Sequence, residues 1–160
     1  MDKEERTRRQ FCRQTCTAAG LAALGSAVLQ ACGGGGSPTS SGGGTSAPAL
    51  PRIAGTVTGG AIQVTIDSTS PLAAAGSAAL VTSAAGNVLV ARTAADAFMA
   101  LTATCTHEGC AITGFSGQSY VCPCHGSQFD TTGRVLNGPA TRSLRQYQTQ
   151  FASGVLTITA

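Results

Sequence analysis

The chain of 160 residues has no tryptophan, five phenylalanines, two tyrosines and one lysine, Lys3. A basic surface interleaved with aromatic rings cannot be built from that set, so nucleic acid is excluded as a partner. Charged residues make up 11% of the chain, against roughly 25% in ordinary soluble domains. The net charge of +3 is too slight to argue for an acidic partner. It is also local, because Lys3, Arg6, Arg8, Arg9 and Arg13 all precede residue 32 and the remainder is nearly neutral. No apolar run reaches the roughly 20 residues that a spanning helix needs. After residue 50 no stretch of helical length has a period near 3.6 except Ala94–Met99. The length fits one small domain with an added segment. What the chain does have is glycine, 21 residues, and cysteine, seven residues.

Composition divides the chain into three segments. Residues 1–32 read as a targeting peptide, with a charged start, an apolar stretch from Ala18 to Ala31 and then Cys32. Thr7-Arg8-Arg9-Gln10-Phe11 resembles a twin-arginine export signal, and Leu29-Gln30-Ala31-Cys32 resembles a lipobox whose cysteine is acylated. Cys12 and Cys16 leave with the peptide if it is cleaved. Residues 33–51 are almost entirely Gly, Ser, Thr, Pro and Ala, and are expected to form a flexible linker. As a coil of that composition the linker spans roughly 25 Å on average, enough for a tethered domain to leave a membrane surface and return.

Residues 52–160 change to short β segments. Ala61–Asp67 alternates apolar and polar, and similar runs occur at Ala79–Ser83, Asn87–Thr93, Phe98–Thr104, Ser119–Cys122, Val135–Leu136, Gln146–Phe151 and Val155–Thr159. Turn signals separate them at Ala85-Gly86-Asn87, Ser116-Gly117-Gln118, Thr132-Gly133 and Ser153-Gly154. The expected fold class is all-β, an antiparallel sandwich or partly open barrel. No internal repeat is visible.

Four cysteines fall between positions 105 and 124, and both histidines of the chain lie among or beside them. The two boxes read Cys105-Thr106-His107-Glu108-Gly109-Cys110 and Cys122-Pro123-Cys124-His125-Gly126-Ser127. Each offers a cysteine and a histidine close together, so each can grip one metal ion or one side of a cluster. Two thiolates with two imidazoles suit a tetrahedral zinc or an iron–sulfur cluster of mixed ligation. A disulfide scaffold leaves the histidines unexplained, and a catalytic Cys–His pair has no third partner in the chain.

The boxes resemble the CTHxGC and CPCHGS signatures of Rieske [2Fe-2S] proteins of the disulfide-containing type. The resemblance extends to Gly138-Pro139-Ala140, which looks like the loop that covers the cluster. It implies that Cys105 and Cys122 bind one iron, that His107 and His125 bind the other, and that Cys110 pairs with Cys124. Gly109, Gly126 and Gly114 fit loops whose backbone approaches the sulfurs closely and donates N–H bonds to them, and Gly138 and Pro139 belong to the covering loop. By the same resemblance Ser127 donates a hydroxyl to a bridging sulfide. Phe129 stands where high-potential members have a tyrosine that donates to the first-box cysteine. Tyr120 and Phe115 read as core.

The resemblance also implies a β-sandwich or partly open barrel with a small cluster-binding subdomain and one cluster per chain. The expected function is one-electron transfer, performed at the periplasmic face of a bacterial membrane by an exported protein anchored through lipid or signal. Expected partners are a redox protein or a membrane quinol-oxidising complex. A small Rieske subunit of a periplasmic molybdenum oxidoreductase is the alternative host, and a structural zinc module is the non-redox alternative. Ring-hydroxylating oxygenases fit less well, since they need a large catalytic iron domain and lack the extra cysteine pair.

Overall fold

In a computed structural model, residues 47–159 are described. The targeting peptide over 1–32, with Cys32, and most of the linker over 33–51 lie outside the described residues. The strands, in chain order, are β1 (Arg52–Ala54), β2 (Thr56–Thr58), β3 (Ala61–Thr65), β4 (Ala78–Ser83), β5 (Gly86–Ala94), β6 (Ala97–Thr102), β7 (Gly114–Ser116), β8 (Ser119–Val121), β9 (Gln128–Asp130), β10 (Val135–Asn137), β11 (Gln146–Ala152) and β12 (Val155–Thr159). There is no helix among the described residues, and the fold is all-β as expected.

Eight strands form one sheet in the order β1-β4-β5-β6-β11-β12-β3-β2. Every pair is antiparallel except β1 with β4. Its two edge strands are consecutive in the chain and separated by Gly55 alone, so the sheet curls almost into a closed barrel. Gly55 sits at the seam, where its N–H donates to the Thr82 carbonyl at 2.8 Å. Glycine is required there by space. A Cβ would lie 2.6 Å from Ile62 Cγ2 and 2.9 Å from Val81 Cγ1, both methyls on stiff β-branched side chains.

The second sheet has four antiparallel strands in the order β10-β9-β8-β7. It covers the outer face of β4–β6, and this explains their sequence. A strand facing one core alternates, as β3 does with Ile62 and Val64 in and Gln63 out. Strand β5 instead buries Val88, Leu89, Val90 and Ala91 in succession. Val88 and Val90 join Ile62, Val64, Leu156 and Ile158 inside the curled sheet. Leu89 and Ala91 join Tyr120, Cys122 and Phe129 of the small-sheet region. Two cores therefore share one layer of strands.

Two sequence expectations need correction. The linker ends earlier than Pro51, because the Leu50 N–H donates to Thr113 at 2.8 Å and the Phe115 N–H donates to Pro48 at 2.9 Å. This strap pairs with the free edge of β7, and Leu50 is buried in the core under the small sheet; composition cannot register such pairing. Ala94–Met99 is no helix but the turn from β5 into β6, whose Ala94 and Ala95 carbonyls accept from the Arg92 guanidinium. Strands β1, β2, β7 and β9, of three residues each, lie outside the runs expected from the sequence.

Gly55→Ala should force the Ile62 and Val81 methyls apart at the seam, costing about 1–3 kcal/mol. The thermal midpoint should fall by roughly 5–20 °C in a domain of this size. An unchanged midpoint would show that the sheet does not depend on close approach at Gly55.

Candidate metal centre

The two cysteine boxes fold into the same loop twice. In the first, the Cys105 N–H donates to the Cys110 carbonyl at 2.8 Å, and the Gly109 N–H returns to the Cys105 carbonyl at 2.9 Å. In the second, the Cys122 N–H donates to Ser127 at 2.9 Å and the Gly126 N–H to Cys122 at 3.0 Å. Gly109 and Gly126 take φ of 76° and 74°, the left-handed region that a Cβ disfavours. Their N–H groups serve the cysteine carbonyls and not the sulfurs as expected, and Gly114 lies not in a cluster loop but in β7, paired with Val121. What the two loops share in sequence is a cysteine followed four residues later by glycine, too short a match to register as an internal repeat. The histidines obscure it, because His107 stands two residues after its cysteine and His125 three.

Strands position the loops. Cys105 follows β6 of the large sheet and Cys122 follows β8 of the small one. Both thiols are free and buried within the core that joins the sheets. The Cys110–Cys124 disulfide ties the end of the first loop to the middle of the second, the pairing that the family resemblance implied. Burial pushes the Cys122 thiol pKa up, and the adjacent Cys105 thiol adds to this, while backbone N–H groups of Cys124 and His125 pull it down. Those two N–H groups favour a charged sulfur and so suit a metal-bound thiolate.

The imidazoles occupy the outer layer. The His107 and His125 rings meet edge to face with centroids 5.0 Å apart, and their side chains are 28% and 46% exposed. Glu108 reaches between them, with Oε1 3.9 Å from His107 Nε2 and Oε2 3.7 Å from His125 Nδ1. The donors thus divide into buried sulfurs and solvent-facing nitrogens, all carried on two cross-linked loops. The residues fit a two-metal cluster that needs both donor types, its sulfur side inward.

A third segment packs over the loops. Ser127 is fully buried, and its Oγ accepts the Ala140 N–H at 3.0 Å. Ala140 follows Gly138 and Pro139, which are joined by a cis peptide bond. Thr106 Oγ1 donates to the Arg142 carbonyl at 2.6 Å, so the first loop also holds this segment. Phe129 is fully buried in the same core as Cys105 and Cys122. Tyr120 and Phe115 are packing residues with ring centroids 5.1 Å apart, and burial raises the Tyr120 phenol far above its ordinary pKa.

Sequence reasoning overlooked Glu108, Thr106 and Arg142. For Glu108 the signal was present, a carboxylate directly after a candidate ligand. For Thr106 and Arg142 there was none, because the contact joins residues 36 positions apart.

Comparison with known proteins gives a consistent picture. The family model of the Rieske [2Fe-2S] domain matches residues 63–148, more than half of the chain. The cytochrome b6-f complex iron-sulfur subunit of Prochlorococcus marinus (strain NATL1A) is 56% identical over 45 residues, which are 28% of this chain and 25% of that protein. The corresponding subunit of Cyanothece sp. (strain PCC 7425 / ATCC 29141) is 43% identical over 60 residues, 37% of this chain and 34% of that protein. The matches therefore span a quarter to a third of these curated relatives. Among solved structures, the plasma membrane Rieske protein of the cyanobacterium Synechocystis PCC 6803 superposes with a TM-score of 0.51 at 34% identity, covering 61% of this chain and 99% of that one.

Proposed function

Because this chain belongs to the Rieske [2Fe-2S] domain family and carries one such cluster, we propose that it is an exported, membrane-tethered carrier of single electrons. In this reading Cys105 and Cys122 hold the inner iron, and His107 and His125 hold the outer one. The observation that carries it is the pair of matching loops, which sets two buried thiols beneath two solvent-facing imidazoles.

Two ferric ions, two sulfides and two thiolates sum to zero charge, and one added electron makes the site −1. A site neutral when oxidised tolerates partial burial, whereas an all-cysteine cluster would enter the domain with more negative charge. Imidazole ligation raises the potential into the range of roughly −150 to +300 mV. The exposed histidine edges are the route by which an electron leaves or enters. Gly109 and Gly126 keep the backbone close to the sulfurs, and Gly138 and Pro139 help to shield them.

The proposed setting is the periplasmic face of a bacterial membrane. Residues 1–32 direct export by the twin-arginine route, acylated Cys32 anchors the chain, and the linker gives it reach. Likeness to cytochrome b6-f complex iron-sulfur subunits favours a membrane quinol-oxidising complex as partner.

The isolated protein should contain two irons and two acid-labile sulfides per chain, with the low average g-value of mixed Cys/His ligation. Replacing His107 or His125 should abolish that signal. One equivalent of zinc in colourless protein from its native compartment would refute the reading.

The Cys32→Ala variant should keep the cluster and leave the membrane fraction, since acyl chains on that residue supply the anchoring. If the variant still sediments with membranes, another segment is the anchor.

Phe129→Tyr should raise the reduction potential, and Ser127→Ala should lower it. A hydrogen bond to sulfur stabilises the more negative reduced cluster more than the oxidised one. A differential worth of roughly 0.5–1.5 kcal/mol corresponds to about 20–65 mV for one electron. Direct electrochemistry checks both shifts, and a Phe129→Tyr potential at or below the parent value with an unchanged spectrum would count against the account.

A further inference from the structure

Five arginines lie among the described residues, at 52, 92, 134, 142 and 145. Two of them are consumed internally. Arg134 Nε pairs with the Asp130 carboxylate at 3.1 Å. Arg92 Nη1 donates to the carbonyls of Leu72 at 3.0 Å and Ala73 at 2.6 Å, and its guanidinium lies 5.3 Å from the Phe98 ring centroid. Arg142 and Arg145 form no ion pair among the described residues. Both line one groove, with a volume of about 480 Å³, whose walls also include Cys105, His107 and Glu108.

The groove is organised on both flanks. Thr106 Oγ1 holds the Arg142 backbone at its carbonyl. The Arg145 guanidinium lies 5.3 Å from the Tyr147 ring centroid, which limits its freedom while leaving N–H donors for a ligand. Glu108, the one acid lining the groove, approaches the two imidazoles. The charge is therefore polarised, with a carboxylate at the imidazole edge and two cations along the groove.

We propose that this groove is the docking surface for an acidic face of the redox partner protein, with Arg142 and Arg145 as its carboxylate contacts. The inference rests on the electron-carrier reading above. A partner exchanging electrons through His107 must approach the groove wall, so charges there act on the encounter itself. Guanidinium groups match carboxylates in a planar fork and keep their charge at every physiological pH. Such exposed pairs contribute little to affinity but steer approach, which suits a contact that must form and release quickly. The weak net charge of the chain conceals this, because the fold gathers at one place two cations that form no ion pair among the described residues.

The test uses cluster-loaded full-length protein whose visible spectrum has first been checked, so loss of the cluster, which would refute the carrier reading, is separated from loss of docking. Reduced protein is oxidised in a stopped-flow instrument by anionic hexacyanoferrate(III) and, separately, by cationic tris(phenanthroline)cobalt(III). The hexacyanoferrate rate constant should fall as ionic strength rises from about 10 to about 500 mM. At low ionic strength the Arg142→Gln/Arg145→Gln variant should react roughly tenfold more slowly with hexacyanoferrate and faster with the cobalt complex. Millimolar hexaglutamate should slow hexacyanoferrate oxidation of the parent but not of the variant, and Arg142→Lys/Arg145→Lys should retain most of the effect. Arg52→Gln, outside the groove, should change neither rate by more than about a third. Equal slowing by Arg52→Gln, or a double variant with parental rates and parental hexaglutamate sensitivity, would overturn the proposal.

Discussion

The core shared by the small sheet and the outer face of β4–β6 is the constraint on which the site depends. Cys105 continues from β6 on one side of that core, and Cys122 continues from β8 on the other. Both thiols are themselves members of it, together with Leu89, Leu101, Tyr120 and Phe129. Packing that holds the sheets together therefore also sets the distance between the loops. A close-packed interior transmits small volume changes, so the packing of Leu89 and Leu101 bears on the loops as well as on the sheets.

The covalent cross-link complements this packing. Cys110 and Cys124 lie beyond the paired strands, Cys110 half-buried against the rim of the core and Cys124 exposed. There burial alone does little to hold two short loops in register, and a bond adds to it. The loops are internally closed by the same pair of backbone hydrogen bonds, each with a left-handed glycine as the fourth residue after its cysteine. The arrangement leaves the histidine side chains as the outermost groups of the centre.

Electrostatics follow from scarcity of charge. Asp130 illustrates how the few carboxylates are used. Burial raises its pKa, but hydrogen bonds from Thr132 and Arg134 outweigh that effect and hold it below the ordinary carboxylate value. It closes the turn between β9 and β10, where Gly133 approaches Leu144 and Leu101. With Arg134 and Arg92 also committed to structure, Arg142 and Arg145 beside His107 are left without an ion pair among the described residues, and Glu108 is the one acid of their groove.

The chemistry of the centre was legible in the sequence because ligand identity and spacing are local properties. Two boxes with cysteine, histidine and glycine at set positions mark a metal site, their likeness to Rieske signatures is what selects donors among the four cysteines, and long alternating runs such as Ala61–Asp67 announce strands. The all-β class followed from the same local periodicity. Other features were decided only when distant segments met. Strands β7 and β9 are stabilised by their neighbours in the sheet, which the sequence runs did not reveal. The strap at Pro48–Leu50 is ordered by a sheet edge more than 60 positions away. The continuous apolar run of β5 has meaning only once a second sheet covers its outer face. The charged groove likewise exists because residues 142 and 145 return beside position 107, a proximity set by packing and hydrogen bonding between segments far apart in the chain.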